Sequence, residues 1–337
     1  MTTVREAFMA STQSASQLRV RVAALRDDGH DIRVFDLHAD DARPLPSWRP
    51  GAHIKLSLPG GLTRCYSLCN APGDEGCYRI AVKREAASRG GSAYLHEQVG
   101  IGMQLDVGAP VNTFALSDSE HPIALFAAGI GITPLYAMAA DLLHRGRAAQ
   151  LHYFARSAEH AGLLSALSQP ALAPHCRFRF GLAAAEVAAA ITTTLSVLPR
   201  ATPLYLCGPV PFIATVRQQA AQLGWRDEDV HFELFAAATP AVANQVATEH
   251  AFELVLYRSG VRCVVQPGQS IVAAAAAAGV QIGTSCGEGF CGSCRSDVLE
   301  GIPEHRDSVL SDKERAANLR LMPCVSRCRG DRLVLDL

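Results

Sequence analysis

Thr284-Ser285-Cys286-Gly287-Glu288-Gly289-Phe290-Cys291-Gly292-Ser293-Cys294 sets three cysteines in one glycine-rich run, and Cys324 follows downstream. The spacing C-x4-C-x2-C…C is the plant-type ligand pattern for a 2Fe–2S cluster. A loop that wraps a cluster must bend tightly and bring backbone N–H groups close to sulfur, and glycine permits both. Such a cluster moves one electron at a time, so the chain handles single electrons. Structural zinc also takes four thiolates, but its usual pattern is two short Cys-x2–4-Cys knuckles. Here three ligands share one loop, which favours iron–sulfur. Spacing alone leaves Cys324 and Cys328 both open as the fourth ligand, since they share Pro323-Cys324-Val325-Ser326-Arg327-Cys328.

The rest of the chain must supply or accept those electrons. Its 337 residues suffice for two or three domains. A hydrophobic content of 49% and a charged content of 19% are those of a soluble globular protein. The formal net charge of −1 gives no bulk field toward nucleic acid or an anionic membrane. No apolar run reaches the ~18 residues a membrane helix needs. Residues 1–16 are small and polar and lack the apolar core of a signal peptide, so a cytoplasmic location is expected. Cys65, Cys69, Cys77, Cys176, Cys207, Cys263 and Cys328 are scattered through apolar or strand-like segments, and most of them read as buried thiols.

Three regions follow from hydrophobic pattern. Residues 17–117 alternate in short strands, as in Leu18-Arg19-Val20-Arg21-Val22 and His53-Ile54-Lys55-Leu56-Ser57-Leu58, which predicts a small antiparallel β-barrel. Residues 118–236 change character. Pro122-Ile123-Ala124-Leu125-Phe126-Ala127 is continuously apolar, as a strand buried on both faces requires, and helical and strand stretches then alternate. That alternation predicts a parallel α/β nucleotide-binding sheet. Residues 237–249 are rich in Ala, Thr, Pro and Asn without a period and read as a linker. Residues 250–337 form a small α+β domain that opens with a hairpin around Arg258-Ser259-Gly260 and carries the cysteine loop.

Two strand-to-helix turns lie in the α/β region. Gly129-Ile130-Gly131-Ile132-Thr133-Pro134 follows the buried strand; its glycines let a phosphate approach the backbone, and the helix start would hold the anion. The third glycine of the dinucleotide fingerprint is absent, so a tight turn without a ligand competes. Cys207-Gly208-Pro209 is the second turn, for which a buried cysteine is the plainer reading. In the barrel, Arg64-Cys65-Tyr66-Ser67-Leu68 puts a cation and an aromatic ring on one strand face. Arginine clamps phosphate and tyrosine stacks on a flat heterocycle. Gly90-Gly91-Ser92 offers a second phosphate cradle ahead of a helical stretch. Each of these is ordinary turn or strand chemistry when taken singly.

Taken in order, Arg64-x-Tyr66-Ser67-Leu68, Gly90-Gly91-Ser92, Gly129-x-Gly131-x-x-Pro134, Cys207-Gly208-Pro209 and the cysteine set resemble the phthalate dioxygenase reductase and vanillate demethylase reductase family over about residues 17 to 337. The resemblance implies a flavin barrel, an NAD domain and a plant-type ferredoxin domain in one chain. It implies FMN as the flavin, met by Arg64, Tyr66, Ser67, Leu68, Ala81, Val82, Lys83, Gly90, Gly91, Ser92 and Thr133, with Phe235 covering it. It places NADH at Gly129, Gly131, Thr133, Pro134, Cys207, Gly208 and Pro209, and the cluster on Cys286, Cys291, Cys294 and Cys324. Arg156 is a residue a 2′-phosphate would meet, whereas the family leans to NADH. No side chain need act as acid or base. Electrons would pass from NADH through FMN and the 2Fe–2S cluster to a terminal oxygenase with a Rieske centre and mononuclear iron. A monomer is expected. The rival readings are a stand-alone flavin or ferric reductase and a ferredoxin-type carrier that does not oxidise NADH.

Overall fold

The computed structural model describes residues 18–41, 43–71, 74, 76–86, 88, 90–119, 121–235, 249–284, 286–290 and 292–337. Most of the expected linker, together with Ser285 and Cys291, lies outside them. Backbone contacts divide the chain into two compact units that meet between residues 183 and 184.

The first unit opens with strands β1 (Leu18–Asp27), β2 (Ile32–Ala39), β3 (Ala52–Leu58), β4 (Leu62–Ser67) and β5 (Cys77–Lys83), then helix α1 (Gly91–Glu97), β6 (Gln104–Val107) and β7 (Val111–Asn112). They form one antiparallel sheet in the order β4-β3-β6-β1-β2-β5, with β7 beside β3. An antiparallel bridge from Leu68 to Ile80 joins the two ends of that order, so the sheet nearly closes as a barrel. Alternation decides what fills it. Val20, Val22, Phe35, Leu37, Ile54, Leu56 and Ile80 are fully buried in its core, while Arg19, Arg21, Asp36, Lys55 and Arg79 between them are more exposed. Asp36, on β2, is bound by Arg79 of β5 through both carboxylate oxygens. Burial opposes that charge, but the Arg79 hydrogen bond and the Arg79 and Arg26 charges hold the Asp36 carboxyl below its ordinary value.

The same unit continues with β8 (Ile123–Ala128), α2 (Ile132–His144), β9 (Ala149–Ala155), the single-turn α3 (Leu164–Leu167) and β10 (Cys176–Phe180). The three strands run parallel in the order β10-β9-β8. All six residues of β8 are buried, as its uninterrupted apolar run predicts. Helix α2 lies against the barrel: a Cβ at Gly51 would stand 3.0 Å from Met138 Cε and 2.0 Å from the Phe114 carbonyl oxygen.

The second unit holds α4 (Ala184–Val197), β11 (Leu204–Cys207), α5 (Val210–Gln222) and β12 (Val230–Glu233), with β11 and β12 parallel. It ends with β13 (Phe252–Leu256), β14 (Val261–Val265), α6 (Ile271–Ala277), β15 (Ser296–Glu300), β16 (Pro303–Glu304), α7 (Asp312–Ala317), β17 (Arg320–Leu321), β18 (Arg327–Cys328) and β19 (Arg332–Leu335). The mixed sheet runs β14-β13-β19-β15-β17, and β16 pairs β18 apart from it. Strands β13 and β14 form the expected hairpin. Ser270 caps α6 by accepting from Ala273 N, and Ser311 and Glu314 make a capping box on α7. Among the described residues no helix is long and apolar enough to cross a membrane.

Candidate functional site

The loop from Cys286 to Cys294 has no regular structure among its described residues and is shaped by glycines. Gly289 sits at φ +74°, and a Cβ there would stand 2.5 Å from Val325 Cγ2 and 3.3 Å from Asp307 Cα. Only glycine lets the loop pass so close to the segment that carries Cys324. Ser308 N donates to Gly289 O at 2.9 Å and pins the loop from the other side. Cys294 is 3% exposed, and its Sγ lies 3.3 Å from Cys324 Sγ. Cys286 Sγ accepts from Glu288 N at 3.3 Å. Cys328 faces elsewhere: its thiol donates to Arg332 O at 3.2 Å and accepts from Gly330 N at 3.4 Å.

The donor set suits a thiolate-bound metal cluster. The hydrogen bond with Cys294, burial, and the Cys294 and Cys286 charges all push the Cys324 thiol far above its ordinary value. Thiols this close resist joint ionisation unless a cation sits between them. Two thiolates on one tetrahedral ion at about 2.3 Å would stand roughly 3.8 Å apart, close to the spacing of this pair. The described residues alone do not gather three such ligands round one point, and Cys291 lies outside them.

Gly289→Ala is expected to cost about 1–2 kcal/mol in left-handed backbone and about 1–3 kcal/mol in overpacking against Val325. The cluster should bleach faster in air, followed by visible absorbance. Adding Val325→Ala should restore part of the lifetime. An unchanged lifetime would show that the close approach is unimportant.

In the barrel, Arg64 and Tyr66 lie on β4. A Cβ at Gly91 would stand 2.7 Å from both Arg64 Cγ and Nε, so the arginine side chain runs over the start of α1. The guanidinium and Gly90-Gly91-Ser92 are thereby brought together, as a phosphate site requires. Arg64 Nη1 donates to Thr63 O at 2.8 Å. Ser92 Oγ bonds Ser88 Oγ at 3.0 Å and accepts from Glu85 N at 3.2 Å. Burial pushes the Tyr66 phenol well up, so it stays neutral. Leu68 and Val82 are core residues of the barrel and Ala81 is 5% exposed, which leaves their backbone as what they offer a ring. Lys83 pairs with Glu85 at 3.2 Å. Ser67 is buried and Phe235 is 36% exposed.

Gly129 has φ +54°, and no heavy atom lies within 4 Å of the place its Cβ would take, so the turn has open room above it. The turn from Gly129 to Gly131 packs against β5, the strand of Ala81, Val82 and Lys83. Thr133 is buried and donates its hydroxyl to Ile130 O at 3.1 Å. Gly131 and Pro134 are buried beside it, whereas Arg156 is exposed just past β9. Cys207 is fully buried at the end of β11, and burial followed by the Glu233 charge holds its thiol protonated. Gly208 and Pro209 lead from it into α5.

Sequence reading passes over Tyr153, whose hydroxyl donates to Gly129 O at 3.0 Å. The available signal is a tyrosine inside an apolar strand, since a buried phenol must find a partner.

A family model for the 2Fe-2S iron-sulfur cluster binding domain matches residues 255–329. The chain is 38% identical over 320 residues to a vanillate O-demethylase oxidoreductase of Pseudomonas sp. (strain HR199 / DSM 7063), covering 95% of this chain and 100% of the relative. It is 40% identical to a phenoxybenzoate dioxygenase subunit beta of Ectopseudomonas oleovorans, covering 98% of this chain and 100% of that one. Among solved structures it superimposes on phthalate dioxygenase reductase with a TM-score of 0.69 and 33% identity, covering 96% of this chain and 98% of that chain. The chain belongs to the phthalate dioxygenase reductase and vanillate demethylase reductase family. It is an NADH-dependent flavin iron–sulfur oxidoreductase of multidomain build. An intact type IV self-sufficient cytochrome P450 monooxygenase also matches the reductase, with a TM-score of 0.79 and 32% identity; there the match spans 95% of this chain and 41% of that one.

Proposed function

We propose that this reductase takes electrons from NADH into FMN held by the 17–117 barrel and passes them through a 2Fe–2S cluster in residues 250–337. Its partner would be a terminal oxygenase with a Rieske centre and mononuclear iron, acting in ring oxidation or demethylation. Relatives named as a phenoxybenzoate dioxygenase subunit and a carnitine monooxygenase reductase subunit support an oxygenase partner. The observation that carries the reading is the packing of the Gly129 turn on β5, because hydride transfer needs nicotinamide and flavin side by side.

When bound, the nucleotide and flavin supply hydride transfer and the cluster supplies single-electron steps. The chain's residues bind and orient. Arg64 with Gly90, Gly91 and Ser92 would hold the flavin phosphate, and Tyr66 and Ser67 would flank the ring with the backbone of Leu68, Ala81, Val82 and Lys83. Gly129, Gly131 and Pro134 shape the nucleotide turn, Thr133 stiffens it, and Cys207, Gly208 and Pro209 supply a second turn within 118–236. Phe235 would cover the flavin, and Arg156 would stand near the nucleotide ribose. Cys286, Cys291, Cys294 and Cys324 are the proposed ligands. A reducing cytoplasm suits four thiolate ligands, and a monomer is sufficient for the reading.

An anaerobic NADH titration with visible and low-temperature EPR spectra tests this. Flavin takes two electrons and the cluster one, so completion should need more than one NADH per chain. Flavin extracted from the protein should have the mass of FMN. A cluster reducible only by dithionite, with no flavin band, would sink the reading. Turnover with small acceptors and no gain from any oxygenase would favour a stand-alone reductase.

A further inference from the structure

Tyr153 stands where three parts of the first unit meet. The side chain is fully buried on β9. Its hydroxyl donates to Gly129 O at 3.0 Å, and the backbone of Gly162 lies beside its oxygen. Gly162 belongs to the loop that leads into α3, and that loop is fastened to the barrel. Leu163 N donates to Asp28 Oδ2 at 2.5 Å, and His30 N donates to Glu159 O at 2.5 Å. Asp28 and His30 lie in the turn between β1 and β2. A Cβ at Gly162 would stand 3.0 Å from Ile32 Cδ1, so the loop seats closely on the barrel. Leu163, buried and at φ +56°, holds a left-handed conformation that a leucine adopts only when its surroundings impose it.

We infer that Tyr153 is a positioning residue for NADH: its hydroxyl ties the Gly129 turn to β9, beside a loop that is itself locked to the barrel. The turn is then held from β5 on one side and through Tyr153 on the other. The inference rests on the proposed NADH site at that turn. Tyr153 does not meet the nucleotide, so it acts on binding through the turn.

Tyr153→Phe removes only the oxygen, so Gly129 O keeps Ile132 N as a donor but loses its tie to β9. The expected result is a rise in KM for NADH of roughly tenfold with kcat little changed, the pattern of lost ground-state binding. Tyr78→Phe is the control, because Tyr78 also loses a buried hydroxyl bond, to Pro46 O at 2.7 Å, one that does not involve the turn. Both variants should lose stability, and only Tyr153→Phe should change KM. An unchanged KM, or an equal rise in Tyr78→Phe, would overturn the inference. If Tyr153→Phe does not accumulate with flavin and cluster bound, Asp28→Ala loosens the same loop from the barrel side and must raise KM in its place. Wild-type protein whose flavin NADH cannot bleach would instead refute the proposed site, so the two failures are distinct.

Discussion

Cys324→Ser should yield a protein that still bleaches its flavin with NADH but no longer delivers electrons to a one-electron protein acceptor. The rate to cytochrome c should fall by at least about 100-fold, the upper end of what losing even an outer partner costs a metal site. Cys324 Sγ is placed 3.3 Å from Cys294 Sγ, so the substitution would remove one of the two sulfurs proposed to hold iron there. A hydroxyl gives up its proton far less readily than a thiol, so serine is a poor substitute for a thiolate on iron. Cys328→Ser is the decisive comparison. Its thiol already bonds Arg332 O at the start of β19 and Gly330 N just before it, and serine can make both bonds. That variant should keep the cluster absorbance and the acceptor rate. If Cys328→Ser loses the cluster and Cys324→Ser keeps it, the fourth ligand has been misassigned. Ferricyanide reduction, measured alongside, separates loss of the cluster from loss of the flavin half.

The features legible in the sequence are those written in local spacing. The C-x4-C-x2-C run identifies its chemistry because three ligands to one cluster must come from one tight loop. Strand alternation in the barrel and the apolar run of β8 are equally local, and the structure places both as read. Less legible is whatever depends on a partner far along the chain. Cys324 and Cys328 are four residues apart and alike in sequence, and only folding turns one toward Cys294 and the other toward Arg332. Tyr153 reads as one more apolar strand residue, because Gly129, 24 positions away, must come to its hydroxyl. Helix α4 goes unnamed in the reading, since its alanine-rich face gives a weak period and only Ile191, Thr194 and Leu195 are buried. The two-residue strands β16, β17 and β18 escape for the same reason, being too short to show alternation.

Arg327→Met should lower the stability of residues 250–337 by about 3–5 kcal/mol, the range for removing one member of a buried, paired charge. The side chain is 4% exposed. Its guanidinium donates to Gln269 O at 2.7 Å, His250 O at 2.9 Å and Gln266 O at 3.3 Å, lies over the Phe252 ring, and stands 3.7 Å from Glu249. It therefore ties the first described residues of the region to the loop before α6. Methionine keeps the apolar stem but leaves three carbonyls without this donor, and buried carbonyls are costly to strand. The melting transition of the region should fall by more than about 10 °C, and the cluster should be lost sooner, because Arg327 follows Cys324 by three residues. Arg306→Met is the contrast. Arg306 also pairs with Glu249, at 2.6 Å, but its side chain is 35% exposed, so about 1 kcal/mol or less is expected. The two variants also differ in acid. The Arg306 hydrogen bond, the Gly268 N–H and the Arg327 charge hold the Glu249 carboxyl below its ordinary 4.5. A carboxyl lowered on folding stabilises above its unfolded value and loses that contribution as pH falls through the folded one. The deficit of Arg306→Met should thus be complete at neutral pH and shrink below pH 4.5, while the backbone bonds of Arg327 keep its deficit large at both. Equal deficits for the two arginines at neutral pH would mean that the buried corner contributes no more than a surface pair.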